Sequence, residues 1–329
     1  MNLEDLQTLP LDKNVFYFVS PWGLGDTMIF CGLKNALEKS LGGKIHFIIK
    51  PSHSLIMKMF GITEYTTATV QHSYPHHSPV LVALAAQNPY PVKGSIYVAH
   101  PEFHPRFAAM VYEMQANLPH VRFLSWYKQF FGLPEGTELH LPSWYPPVSD
   151  DLKARFEKLG TDFRFDNTAL FLPEATSVLG PDRIFWECLI REQKRKGMNV
   201  ITNIVNQEKT PLFKGIPNID LSLEELVSFS LACKDVYALR SGICDLIFSK
   251  GNHLHIYYPT DAIHKIFNLK DMFQSDTVDE KLLSDSFVIK CGIFQRDMRF
   301  MQIANHVFDH SKFKIASLVL LSKRGYIGI

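Results

Sequence analysis

Cysteine is sparse in this 329-residue chain, and net charge is almost absent. The five cysteines form no Cys-x-x-Cys pair, and their number is odd. That argues against a disulfide framework and a cysteine zinc site, and predicts reduced, buried thiols in a cytosolic setting. Lys and Arg total 34 against 33 for Asp and Glu, a formal charge of +1. A duplex nucleic-acid binder usually carries a basic surplus, so no nucleic-acid partner is expected. No uncharged apolar run reaches the ~18 residues that span a bilayer; the longest candidates lie at 80–86 and 315–322. The opening MNLEDLQTLPLDKN is acidic and has no signal-peptide core. The expected location is the cytoplasm, with the inner face of the membrane as a peripheral alternative. Low-complexity segments and short internal repeats are missing too.

What the chain has is apolar material, 46% of its residues, with 25 phenylalanines. This is enough to build a large core rather than a disordered chain. Residues 14–20, NVFYFVS, read as a buried strand ended by Pro21. A glycine turn follows, Gly23-Leu24-Gly25-Asp26, then helical spacing through residue 41 and a Gly42-Gly43 stop. KIHFIIK at 44–50 is the next strand. A strand, helix and strand in that order form a parallel unit with a right-handed crossover. Further on, 53–60, 107–118 and 123–131 read as helices, and 79–86 and 95–99 as strands.

Three prolines between 142 and 147 suggest a linker. A second α/β cycle follows. Helices are expected at 151–159, 184–196, 223–232 and 243–249, and strands at 168–172, 199–204, 235–239 and 253–258. The expected architecture is α/β, with two Rossmann-like domains, 1–147 and 148–329, facing a cleft that is the natural ligand site. Residues 294–310 have helical spacing and are expected to cross back to the first domain. The tail 312–329 is expected to pack as core, with a membrane-surface contact as the alternative.

The loop at 23–26 resembles half of a dinucleotide fingerprint. The third glycine of Gly-x-Gly-x-x-Gly is replaced by Met28, and the acid after the second glycine opposes a pyrophosphate, so NAD is not expected. Asp26 has two readings: a cap for the following helix, or a base aimed into the cleft. In the second half, Arg240-Ser241-Gly242 offers a cation, a hydroxyl and bare backbone at a helix start, groups that hold a diphosphate. The other reading pairs Arg240 with Asp235 or Glu224. Arg183 is a second phosphate candidate, or the partner of Asp182 or Glu187. Thr176 and Ser177 could bond phosphates. Asn203, Asn206 and Gln207 sit where a base or ribose would be met, or are solvated loop. Glu102, His104 and Arg106 follow a strand and are acceptor-side candidates, together with Gly25. His76-His77 and His100-Pro-Glu-Phe-His104 invite a metal reading, but Pro101 and Pro105 prevent one helix face from presenting both histidines. No metal or cofactor is expected.

The order of these motifs resembles the heptosyltransferase-like, family 9-like GT-B glycosyltransferases. The resemblance rests on Gly25-Asp26-Thr27-Met28-Ile29-Phe30 with Leu33-Lys34-x-Ala36-Leu37, and on Lys44-Ile45-x-Phe47-Ile48. It continues through Phe131-Gly132-Leu133-Pro134, Leu139-x-Leu141-Pro142, Leu172-Pro173-Glu174-Ala175-Thr176-Ser177 and Leu221-Ser222-Leu223-Glu224-Glu225-Leu226. Arg183-x-Phe185 stands where that family has Lys-x-Trp. Two positions depart: Arg240 and Asp245 replace the Asp and His of the family's Asp-Ser/Thr-Gly-Pro-x-His-Leu segment. The resemblance implies an inverting transfer of a sugar from a nucleotide-diphosphate sugar to a hydroxyl. The acceptor would be a bacterial surface glycan or its lipid-linked precursor, and Asp26 would be the base. A nucleotide-sugar epimerase or hydrolase, or a non-catalytic binding protein, are the alternatives.

Overall fold

The structure is a computed structural model. It describes residues 5, 9–21, 23–69, 78–104, 122–160, 163–175, 181, 183–208, 210–248, 253–259, 264–265, 267–273 and 278–283. The readings at 107–118, 294–310 and 312–329 lie outside these residues, as do His72, His76, His77, Arg106, Thr176 and Ser177.

Two parallel sheets organise the chain. The first contains β1 (Phe16–Val19), β2 (Ile45–Ile49), β3 (Tyr65–Thr67) and β4 (Ile96–Val98), in the order β3-β2-β1-β4. The second contains β5 (Thr168–Leu172), β6 (Asn199–Thr202), β7 (Asp235–Leu239), β8 (His253–Tyr258) and β9 (Val278–Leu282), in the order β6-β5-β7-β8-β9. Every recorded pairing is parallel. Strands covered on both faces need no polar alternation, and all five residues of β5 are buried. In both sheets the first strand of the half lies inside the order and the chain winds outward to both sides. That is the Rossmann-like pattern, with ligand positions at the carboxyl ends of the strands.

The helices are α1 (Leu24–Leu41), α2 (Ser54–Met59), α3 (Pro79–Gln87), α4 (Phe123–Phe130), α5 (Asp150–Glu157), α6 (Arg183–Arg195), α7 (Leu223–Ala232), α8 (Gly242–Ile247) and α9 (Leu269–Phe273). One expectation is overturned here. Residues 79–86 form a helix, not a strand. Pro79 occupies its first turn, where a missing N–H costs nothing. Leu and Ala in the run favour helix, and a short apolar run alone cannot separate the two states. The strands β3 and β9 were absent from the sequence reading. Both lie at sheet edges and are only partly buried, so neither shows a continuous apolar run.

The largest buried cluster continues from one half to the other. It joins Phe18, Phe30 and Phe47 of the first to Ile243, Leu246 and Ile247 of α8. Phe18, Phe30 and Phe131 form a triangle of near-parallel rings, with centroids 5.4, 5.5 and 6.1 Å apart. The halves meet where α1 packs on α8, and glycines make that approach possible. A Cβ on Gly242 would lie 3.0 Å from Leu24 Cβ and 3.1 Å from Gly25 N. A Cβ on Gly25 would lie 2.7 Å from Asp245 Oδ2. A second link is Lys58 of α2, which pairs with Glu224 of α7 at 3.1 Å and lies over the Trp144 ring. No described helix is long and apolar enough to cross a membrane.

Candidate functional site

The turn after β1 delivers Asp26 to the third residue of α1. Its two oxygens have different tasks. Oδ2 accepts the Gly23 N–H at 3.1 Å and so caps the helix start. Oδ1 accepts the Tyr127 hydroxyl at 2.7 Å and faces His100 Nε2 at 3.5 Å. The two readings of Asp26 are therefore compatible. A carboxylate offers about four acceptor positions, and the described residues engage three. The side chain keeps 18% exposure. Burial raises its pKa, but the hydrogen bonds from His100, the Tyr127 hydroxyl and the Gly23 N–H outweigh burial and hold the carboxyl below its usual range. The α1 dipole acts in the same direction.

His100 follows β4 and is nearly closed to solvent. Its Nδ1 accepts the Glu102 N–H at 3.2 Å. The ring proton therefore sits on Nε2, directed at Asp26. Trp126 and Tyr127 of α4 press edge-on against the ring at 5.5 and 5.8 Å. Behind Asp26, Thr27 Oγ1 lies 3.0 Å from Ser20 Oγ and 2.8 Å from His53 Nδ1. Burial, with Lys50 adding to it, drives the His53 pKa down to about 4, so this imidazole is neutral at pH 7. Tyr127 was not a sequence candidate, and His100 was singled out only in the metal reading that was set aside. For His100 a signal existed, its place directly after a strand. Tyr127 is 101 residues from its partner, and only the fold joins them.

Across the seam the same local plan gives another outcome. Arg240 follows β7, and its guanidinium meets Asp245 with two hydrogen bonds of 2.9 Å. Its Nε donates to the Phe267 carbonyl at 3.1 Å, and one Nη to the Ser241 carbonyl. Arg240 is 7% exposed and Asp245 1%. Arg240 is thus turned into the protein. Its partner is neither Asp235 nor Glu224 but the acid five residues on. Burial raises the Asp245 pKa, Arg240 opposes this, and the nearby Asp26 charge adds to it. Gly242 and Gly25 serve the helix contact described above. Ser241 begins α8 without capping it through its side chain.

The remaining candidates divide. Arg183 starts α6 and pairs with Glu187 at 2.7 Å, with its Nη2 on the Leu212 carbonyl. Asn203 is buried, its amide donating to the Ile219 carbonyl at 2.8 Å, so it braces the domain interior and is not aimed at a ligand. Asn206 and Gln207 are exposed, and the Glu174 carboxylate accepts the Val205 and Asn206 N–H groups. His104 is also turned inward. It lies 2.8 Å from the Val98 carbonyl, between Tyr97 and Phe130, which removes it from the acceptor side. Glu102 remains partly exposed beside His100. No metal-holding cluster of His, Cys, Asp and Glu occurs among the described residues.

Two Rossmann-like domains joined at the carboxyl ends of their strands define the GT-B fold. No protein-family model and no curated sequence matches the chain. Among solved structures it is similar to the Escherichia coli ADP-heptose LPS heptosyltransferase II, with 14% identity, 89% of this chain and 100% of that chain covered, and a TM-score of 0.50. It is also similar to the dodecameric iron-containing heptosyltransferase TibC in complex with ADP-D-beta-D-heptose, with 11% identity, 79% and 63% covered, and a TM-score of 0.50. A family 9 glycosyl transferase from Veillonella parvula gives 13% identity, 85% and 89% covered, and a TM-score of 0.49. At these identities the likeness is one of fold, the heptosyltransferase-like GT-B fold.

Proposed function

We propose that the chain is a glycosyltransferase that moves a sugar from a nucleoside-diphosphate sugar to a hydroxyl. The acceptor is a bacterial surface glycan or its lipid-linked precursor. The observation that carries this reading is Asp26, an ionised carboxylate beside the domain seam. Three donors fix it, the described residues leave one acceptor position without a partner, and the side chain is partly exposed. A base must be ionised and must lie within hydrogen-bond reach of the proton it takes. Asp26 would accept the proton of the acceptor hydroxyl as its oxygen attacks the anomeric carbon, inverting it, and the diphosphate would leave.

His100 and Tyr127 act as positioning residues. As donors they fix Oδ1 and keep Asp26 ionised, which also limits its strength as a base. The departing charge requires cations and helix N–H groups. Arg183, half exposed where α6 starts, serves this purpose when its pairing with Glu187 opens. Arg240 supports the seam through Asp245 and is not a phosphate ligand in this reading. The donor class is supported by the structurally similar TibC, whose structure holds ADP-D-beta-D-heptose. The reading needs neither a metal nor a cofactor, and the enzyme would work in the cytoplasm or at the inner membrane face.

The test is incubation with a panel of nucleotide sugars and glycan or lipid-linked acceptors, read by mass spectrometry. The expected result is an acceptor heavier by one sugar, with release of nucleoside diphosphate. Free sugar or an epimer, with no acceptor increment, would replace this reading with a hydrolase or an epimerase.

A further inference from the structure

A second pocket lies away from Asp26, on the other side of α4. Its volume is about 310 Å³, within the range of small-molecule sites. One wall is Arg122, Ser125 and Lys128 from the start and middle of α4. The 135–139 loop with Thr137 forms another, and Lys265 and Asn268 close it from the second half. Lys128 is the unusual member, being only 7% exposed. Its ammonium donates to the Glu135 carbonyl and forms no ion pair with any described carboxylate. The Glu135 carboxylate accepts the Ser125 hydroxyl in the pocket wall. An ammonium has three donors, and the described residues engage one of them. A buried charge with no counter-ion among the described residues is costly, and an anion in the pocket would reduce that cost.

We infer that this pocket is an anion-binding subsite, with Lys128 as its buried cationic ligand. The ligand carries an oxyanion on a hydroxyl-rich body the size of a monosaccharide. Thr137 lines the pocket with a hydroxyl and Ser125 with a hydroxyl oxygen that can accept, while Leu139 and Phe273 supply apolar surface. The oxyanion has two chemical sources, a sugar phosphate or a uronic acid carboxylate. Arg122 and Lys265 add positive potential at the walls; the opposing acids, Glu135 and Glu138, belong to exposed residues, where water screens them.

The test is a melting curve of the full chain with glucose 6-phosphate, glucuronate or uncharged glucose. At least one anion should raise Tm saturably, by a few degrees at roughly 100-fold excess over Kd; glucose should not. The more effective anion identifies the source. Lys128→Gln should weaken the apparent affinity about 10- to 100-fold, and Lys128→Arg should retain most of it. If Lys128→Gln does not fold, the exposed Lys265→Gln carries the comparison and should weaken binding. Asp26→Asn should respond like the wild type, which separates this subsite from the transfer reading. No saturable rise with either anion would overturn the inference. So would an equal response in the wild type and the Lys128→Gln and Lys265→Gln variants, or loss of the response in Asp26→Asn.

Discussion

The starts of α1 and α8 are built alike. Each follows a parallel strand through a glycine turn, each carries an aspartate in its first turn, and the two helices touch across the seam. Their aspartates nonetheless differ in chemistry. Asp26 is held by an N–H, a hydroxyl and a long imidazole contact, and keeps an exposed edge. Asp245 is sealed and bound by a guanidinium. Three donors that leave part of the surface open fix an anion while keeping it reachable; a bidentate arginine in a closed site makes a brace. The local motif does not decide which of these an aspartate becomes. The partners brought by distant elements do.

The largest effect expected from breaking this contrast is on the brace. Arg240→Ala leaves Asp245 buried without its partner, which costs roughly 3–5 kcal/mol. Thermal or urea unfolding would show it, and the double variant Arg240→Met with Asp245→Leu should recover much of the loss. Next comes acid sensitivity behind Asp26. His53 titrates near 4 in the folded protein, against about 6.5 when unfolded. Between these values the unfolded state binds more protons, so stability rises with pH there and is lost on acidification from 6.5 towards 4. The full effect is about 3 kcal/mol. Urea melts across pH 4–7 measure it, and His53→Asn should flatten that part of the slope.

Tyr127→Phe removes a hydroxyl that donates to a charged oxygen, a bond worth roughly 1.5–3 kcal/mol. Losing that donor raises the Asp26 pKa, so the acid limb of the rate profile should move to higher pH. A profile unchanged in position would show that Tyr127 does not tune Asp26. The smallest expected change is at the helix contact. Gly25→Ala drives a methyl into Asp245 Oδ2 and should cost about 1–3 kcal/mol by overpacking, visible as a lower Tm.

Much of the framework was legible in the sequence. β5, β7 and β8, and helix α7, fall at the expected residues, because buried parallel strands show as unbroken apolar runs and α7 carries a cap. Ser222 accepts the Glu225 N–H, and Glu225 accepts the Ser222 N–H. The edge strands β3 and β9 lack such a run. Within the site, Asp26 stood out by its place in a glycine turn. The orientation of Arg240, Asn203 and His104 could not be read, because a polar residue after a strand looks the same whether it faces a ligand or the interior. Tyr127 reaches Asp26 only through tertiary contact.

The most direct test of the account is Asp26→Asn, with transfer rate, nucleotide affinity and Tm measured on one preparation. Asparagine keeps the size and can still accept the Gly23 N–H, but it cannot take a proton. The account predicts a fall in transfer of ~10²–10⁴-fold, with nucleotide affinity and Tm nearly unchanged. Near-normal transfer by the well-folded variant, with only a small loss of stability, would contradict it and reduce Asp26 to a helix cap.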